Sequence, residues 1–436
     1  MSYERKGTTG ATAIVTSELG GGNFTFINGT DDPALTIEAA WSYLNTLGGG
    51  TLITQGAGET WIIETPIDSQ GTNVTWLSDW GLKITCITNL NDHLVNIDHD
   101  YTILDGLHID GNEDNQGAND NNIEAISVSH CKFKNLYLEE ATEYGIRVRG
   151  QDGNTTNDIE ISGCYCVNNN WNGITVEDYE ANIRVTNNHV EHSGDVGIAI
   201  ADGAGNSDIL INNNTVTDMD GSEGSAGTHW GIAQEGTTGW TAIVGNTVSN
   251  CHRGIVTNSG FASGWLTITG NSVRNCGSNA SGGAINDQST GGYTLIAGNV
   301  CEAVFSDAGC IEISNASYKN VVGNTCYSAT AGVRGIEIDG AGSHANICDN
   351  VIEVPGEGVY IDATSDDVNV KGNKFGSCAI GLYIGANADR TVVDGNDFNS
   401  CTVDVQNDSA DWSNFGGNKN EDGVWIEGAT SDNPLA

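Results

Sequence analysis

A short signal, Gly-Asn followed by any residue and then Val, Cys or Phe, returns through this sequence at Asn246, Asn271, Asn299, Asn324, Asn373 and Asn396, with variants at Asn188, Asn214 and Asn350. From Asn188 onward the intervals are 26, 32, 25, 28, 25, 26, 23 and 23 residues. A period in the twenties marks a solenoid, in which each repeat packs only on its neighbours. Each period also holds a Gly followed by alternating apolar residues, as in GIRV from Gly145, GITV from Gly173, GIEI from Gly335 and GVYI from Gly358. A third alternating stretch precedes the Asn, as in IEIS from Ile159 and VNVK from Val368. Period-2 alternation makes each stretch a short strand with one face inward. Equivalent strands return in the same chain direction, so the sheets are parallel, with equivalent residues about 4.8 Å apart. The sequence predicts an all-β fold, a right-handed parallel β-helix solenoid of about a dozen coils.

The recurring Asn has a mechanical reading: stacked amides bond from coil to coil. The 59 glycines against 4 prolines suit many tight turns. Cys251, Cys276, Cys378 and Cys401 lie five residues after their Asn, and Cys301 and Cys326 lie two after theirs. Fixed positions in a repeat predict buried, free thiols acting as small apolar residues. No spacing among the 12 cysteines matches a zinc site.

The ends of a solenoid need caps. Asp32-Pro33 reads as a helix start, and Ile37, Ala40, Trp41, Leu44 and Leu47 follow with helical spacing until Gly48. This predicts a capping helix near 33–47. The expected organisation is an N-terminal arm or attachment segment over 1–30, the β-helix over 31–407, and a C-terminal cap or tail over 408–436. Residues 1–20 hold no apolar core of a secretory signal, and no apolar run reaches the ~18 residues of a membrane span. The net charge of −41 repels phosphates and anionic lipid, so neither nucleic acid nor membrane insertion is expected.

The stretch DDPALTIEAAWSYLNTLGGGTLITQG resembles the opening of pectate-lyase-type-3 and phage tailspike domains of the pectate-lyase-like superfamily, and TILDGLHIDGN, residues 102–112, resembles their early coils. The resemblance implies a right-handed parallel β-helix, a polysaccharide partner and a homotrimer. The chain has no Lys/Arg-rich groove to neutralise uronates, which argues against pectin.

Two groups of carboxylates stand at outward positions of the Gly-motif strands. The first is Glu312, Glu337, Asp339 and Asp362, with Tyr360 and Tyr383 beside them. Glu312 and Glu337 fall one coil apart, a separation suited to paired carboxyl chemistry on a glycosidic bond. Like charges at that spacing push one pKa up, giving an acid and a base. The second is Glu177, Asp178, Asp202 and Glu235, near the insertion Asp218–Trp230; Glu235 with Asp202 or Glu177 is the first choice of acid and base, and Glu312 with Glu337 the second. There Ala199, Ala201 and Ala233 offer a small-residue floor, Trp230 and Trp240 offer stacking faces, and His229 offers an acid or base. In that register the sixth coil starts at Gly282 and presents Ala284. Either group also suits a solvating acidic face. No cofactor is expected. DGNEDNQGANDNN from Asp110 has oxygen ligands for Ca²⁺ but not the spacing of a helix–loop–helix calcium loop.

The leading expectation is a virion tailspike-like or fibre-like protein at the virion or cell exterior, contacting other virion proteins and binding, or also cleaving, a cell-surface polysaccharide. The alternatives are a free polysaccharide lyase, hydrolase or epimerase, and a non-catalytic structural or capsid-decorating rod.

Overall fold

The computed structural model describes residues 11–16, 25–27, 32–79, 81–117, 120–151, 156–178, 180–201, 207–219, 228–236, 239–258, 264–277, 282–290, 292–314, 318–339, 344–362, 365–386, 388, 390–409, 413–419 and 425–426. The chain forms two compact units, residues 1–210 with 221–227, and residues 211–220 with 228–436. Among the described residues no helix is long and apolar enough to cross a membrane.

Both units are built from coils of three short strands, each strand pairing in parallel with its equivalent on the next coil. Sheet 1 holds the strands that precede the Asn turn, sheet 2 those that follow it, and sheet 3 the Gly-motif strands. In the first unit Ile146 aligns with Ile174, and Ile174 with Ile198. In the second, one inward column of sheet 3 runs Ile255, Ile285, Ile311, Ile336, Val359 and Leu382. All six are fully buried. A one-residue slip would turn such a column out to solvent, so apolar alternation fixes the register.

In the first unit the helix Pro33–Thr46 starts where the sequence predicts. The Asp32 carboxylate accepts from the Ala34 N–H at 3.0 Å, and Pro33 opens the first turn. Ile37, Ala40, Trp41 and Leu44 are fully buried, with Trp41 edge-on to Trp76 at 5.9 Å. Leu47 is a correction to the expected apolar face: it is the C-cap and 39% exposed, while Ala34 joins the buried face instead.

In the second unit the Asn ladder is continuous from Asn214 through Asn246, Asn271, Asn299, Asn324, Asn350, Asn373 and Asn396 to Asn418. Asn299 shows the pattern. Its side-chain oxygen accepts from both the backbone N–H and the amide of Asn271, while its own amide donates to Asn324 Oδ1 and to Ile268 O, all at 2.9 Å. The Gly before each Asn is also explained. Gly298 and Gly323 sit at φ 63° and 65°, left-handed conformations where Gly costs least, and Asp349 takes the same place at φ 56°. The coil pattern runs on past Asn407, with strand Ser413–Gly416 parallel to Thr391–Asp394.

The twelve cysteines are all unpaired, and ten are buried. Cys301 lies in register with Cys326. The second unit also buries an ion pair that repeat patterning did not reveal. Lys319 Nζ donates to Asp287 Oδ2 at 2.7 Å, to Thr294 Oγ1 at 3.0 Å and to Ser289 Oγ, and both charged side chains are inaccessible. Burial works against the Asp287 charge, but Lys319 outweighs it and holds the carboxyl low. In the first unit Asp120 is the opposite case. It is fully buried, and burial followed by repulsion from Asp92 pushes its pKa up to about 7 against the Asp92 backbone N–H, which favours the charge.

Two outcomes follow for stability. Thiol titration in denaturant without reductant should count close to twelve reactive groups, and native titration should reach little beyond the half-buried Cys348 and Cys401. A count near zero in denaturant would mean that disulfides staple the coils. For Asp120 the folded pKa of about 7 stands above its ordinary 3.8, so the folded state binds the extra proton between those values. Stability is therefore lost as pH rises through that window. Asp120→Asn should flatten the fall in Tm between about pH 4 and 7, a difference of a few kcal/mol at the upper end. An unchanged slope would remove Asp120 as its source.

Candidate active site

The first carboxylate group assembles on sheet 3 of the second unit. Strand Gly309–Ser314 pairs with Arg334–Asp339, which places Glu312 beside Glu337 and Ser314 beside Asp339. The column continues from Glu337 to Tyr360 and from Tyr360 to Tyr383. On the other side of Glu312 it holds Asn286, not Ala284. This corrects the register of the sixth coil: Ile285 aligns with Ile255, so the strand starts two residues later than its glycines suggest, and Ala284 is buried.

Glu312 is held on the backbone. One oxygen accepts from the Gly309 N–H at 2.9 Å and the other from Asn286 Nδ2 at 2.6 Å. A side chain at Gly309 would strike the Glu312 Cγ at 2.8 Å, so the missing Cβ makes room for the carboxylate to fold back. Burial raises the Glu312 pKa, opposed by the Gly309 N–H, Arg253, Asn286 and Arg334. Glu337 accepts from Arg334 Nη1 at 2.7 Å. Burial pushes its pKa up to about 7; Arg334 opposes this, and the charges of Glu312 and Asp339 reinforce it. The pair thus sets a carboxyl whose pKa is pushed up to about 7 beside a neighbour whose two oxygens each accept a hydrogen bond.

Arg334 is fixed from three sides. Besides Glu337, its Nε lies 3.4 Å from Glu357, and its guanidinium lies 4.0 Å above the Tyr360 ring. Tyr360 and Tyr383 stack at 4.9 Å with planes 6° apart, and the Tyr383 hydroxyl donates to Asp408 at 3.0 Å. Burial and repulsion from Asp362 raise the pKa of the exposed Asp339. Arg253, Asn286, Arg334 and Glu357 were not among the sequence candidates. The signal for the arginines was present, since Arg253 and Arg334 each directly precede the Gly of their motif.

The second group is distributed differently. Glu177 and Asp178 belong to the first unit, Glu235, His229, Trp230 and Trp240 to the second, and Asp202 lies outside the described residues, as does much of the Asp218–Trp230 insertion. Glu177 accepts from Arg147 Nε at 2.6 Å, while Asp178 follows in a left-handed turn. Glu235 is half-buried just beyond strand Trp230–Gln234. His229 is buried with its ring edge-on to His252 at 4.6 Å. Trp230 and Trp240 do not converge. Trp230 starts a sheet 3 strand and carries Arg253 over its ring at 5.5 Å, whereas Trp240 starts a sheet 1 strand. The expected small-residue floor is covered: Ala199 and Ala233 point outward yet are buried, and Ala201 is half-buried.

The first unit holds two further clefts, each of about 500 Å³. One includes Ser69, Asp98 and His99. Ser69 Oγ and Asp98 Oδ1 both approach His99 Nδ1, at 3.0 and 2.5 Å. A proton relay needs the hydroxyl and the carboxylate on opposite ring nitrogens, so this triangle is not one. In the Asp110 loop, the Asp110 carboxylate meets Lys83 at 2.5 Å. Among the described residues no three His, Cys, Asp or Glu side chains gather to hold a metal ion.

The sequence matches the family described as Right handed beta helix region over residues 93–301 and that described as Periplasmic copper-binding protein (NosD) over 231–430. A search of curated proteins returns no significant match. Among solved structures, the N-terminal fragment of gene product 12 of bacteriophage phi29 aligns at 12% identity and TM-score 0.58, over 92% of this chain and 71% of that one. The pre-mature form of the same phage protein aligns at 12% identity and TM-score 0.54, over 92% of this chain and 56% of that one. The A-module of the mannuronan C-5 epimerase AlgE6 of Azotobacter vinelandii aligns at 13% identity and TM-score 0.52, over 89% of this chain and 95% of that one. At such identities the likeness is one of fold. The chain is a right-handed parallel β-helix, the fold it shares with these structures.

Proposed function

We propose that this chain is a polysaccharide-binding β-helix of a virion or cell exterior, and that the Glu312–Glu337 face of its second unit cleaves the bound polymer. The observation that carries this reading is the in-register carboxyl pair. One member has its pKa pushed up to about 7, and a stacked tyrosine pair continues the same column. A linear polymer suits a face whose groups repeat every ~4.8 Å along one axis. The mannuronan epimerase module lends a precedent of fold for chemistry on such a polymer. Tailspike-like placement on a virion and a homotrimeric state belong to the same proposal and rest on the resemblance of the N-terminal coils.

Adjacent rungs hold the two backbones ~4.8 Å apart, and we read the carboxyls on them as the pair of a retaining hydrolase, whose carboxyls stand ~5 Å apart. In that chemistry Glu337 donates its proton to the glycosidic oxygen as the bond to the anomeric carbon breaks. The Glu312 carboxylate attacks that carbon and forms a glycosyl ester. Glu337, now ionised, takes a proton from water, and the resulting hydroxide displaces Glu312. Tyr360 and Tyr383 supply apolar ring surface for the sugar chain, and Arg334 orients Glu337.

Glu337→Gln and Glu312→Gln should each lower turnover of a cleaved glycan by more than ~100-fold while binding is kept, as reducing-end release and affinity electrophoresis would report. In the unaltered protein kcat/KM should fall as pH rises through about 7, because Glu337 loses the proton it donates. Turnover unchanged in both variants would remove the assignment. Binding without products across a broad glycan panel would favour a non-catalytic adhesin.

A further inference from the structure

Sheet 1 of the second unit presents a face unlike the rest of the molecule. Four successive strands, Trp240–Val244, Trp265–Thr269, Tyr293–Ala297 and Lys319–Val322, pair in parallel register. Their outward positions are Trp240, Ala242 and Val244; Trp265, Thr267 and Thr269; Tyr293, Leu295 and Ala297; Asn320 and Val322. None is charged, in a chain with 57 acidic residues and a net charge of −41. The strand starts carry large exposed rings: Trp240 is 42% exposed, Trp265 62% and Tyr293 45%, and Tyr318, just before its strand, is 48% exposed. Trp265 stacks on Tyr293 at 4.7 Å, Tyr293 meets Tyr318 at 5.1 Å, and Tyr318 stacks on His344 at 4.9 Å. Beside the lower part of this ladder runs an amide column, in which Asn369 donates to Asn346 at 3.0 Å and Asn346 to Asn320 at 2.9 Å.

We infer that this strip is a second binding site, separate from the Glu312–Glu337 face, and that it holds a neutral linear polysaccharide. Exposed rings in a contiguous row cost hydration free energy that isolated surface rings do not, which marks a contact surface. Ring edges with tyrosine hydroxyls, next to a column of side-chain amides, match a ligand that is apolar on its C–H faces and ringed with hydroxyls. The absence of charge selects against ions: an anionic polymer gains no cation between Trp240 and Asn320, and a cationic one gains no carboxylate. A second copy of this chain fits poorly. Four strands by three outward residues cover on the order of 300 Å², against the ~800 Å² per partner of a stable interface. The observation is independent of the proposed catalytic pair, which lies on sheet 3.

The test is affinity electrophoresis of the full chain in gels containing hydroxyethyl cellulose or glucomannan as neutral probes and alginate as the anionic one. The unaltered protein should be retarded by a neutral probe and not by alginate. The combined variant Trp265→Ala with Tyr318→Ala should weaken that retardation by about tenfold or more, with an unchanged circular dichroism spectrum and Tm, because both rings are exposed. Glu337→Gln should keep the retardation. No retardation by either neutral probe, or equal retardation of the double variant, overturns the site. Retardation lost in Tyr360→Ala but kept in the double variant overturns it as well, while leaving the sheet 3 reading standing. Light scattering that shows a self-associated form split by the double variant also overturns it, in favour of a second copy.

Discussion

The strand backbones of each coil find their hydrogen-bond partners in the coils before and after it, and the asparagine ladder is where that dependence is most complete. In the second unit each ladder Asn ties three groups together: the backbone N–H of one neighbour, the amide of the same neighbour, and a carbonyl of the strand behind it. All of this lies out of water. A buried amide left unpaired costs about 1–3 kcal/mol, so a coil that lost its Asn would strand donors on the coil before it and a carbonyl beside it. The turn therefore cannot drift, and neither can the strands on either side of it. In the second unit the ladder thus reinforces the parallel register that the apolar alternation of the strands sets.

A fixed register turns single residues into columns, and columns are how this fold makes a site without a loop. On sheet 3 of the second unit the outward column passes from Val256 through Asn286, Glu312, Glu337 and Tyr360 to Tyr383. Nothing in that order is required by the core, which reads only the alternate, inward positions. The closeness of Glu312 to Glu337 is set by strand spacing, and the difference between them by what each strand supplies. Gly309 gives Glu312 a bare N–H, while Arg334 gives Glu337 a guanidinium. In the proposed chemistry their unequal surroundings, not their separation, distinguish the acid from the nucleophile.

Period and polarity made the inward half of the structure legible from sequence: the ladder, the Gly-motif strands and the helix cap at Asp32 all obey short-range rules. The outward half was legible only where the motif was regular. At the sixth coil two adjacent glycines, Gly282 and Gly283, gave two possible starts, and the strand took neither, beginning its alternation at Ala284. The Glu312–Glu337 pairing could be read because both coils kept the motif spacing. Arg253 and Arg334 were missed because they precede the motif rather than belong to it. Trp240 was read with Trp230 because both flank one insertion, but they start strands of different sheets. Lys319 and Asp287 escaped altogether. A charge is expected outside until a specific partner meets it, and that partner lies in another coil.

The acidity of the chain bears on these two faces in different ways. Salt reduces the reach of exposed charge to roughly 8 Å at physiological ionic strength, so the net charge governs the approach of an anionic polymer more than its final contacts. At the sheet 3 face the carboxylates are matched locally by Arg253 and Arg334, and burial keeps Glu337 protonated near neutrality, which lowers the charge that a bound chain would meet. At the sheet 1 strip no charge stands at the outward positions of four successive strands. Both faces thus remove, by different means, the repulsion that the rest of the surface imposes. Two tracks parallel to the stacking direction of the coils, one with its carboxylates matched by arginines and one with no charge at its outward positions, discriminate by where a polymer can lie as much as by what it touches.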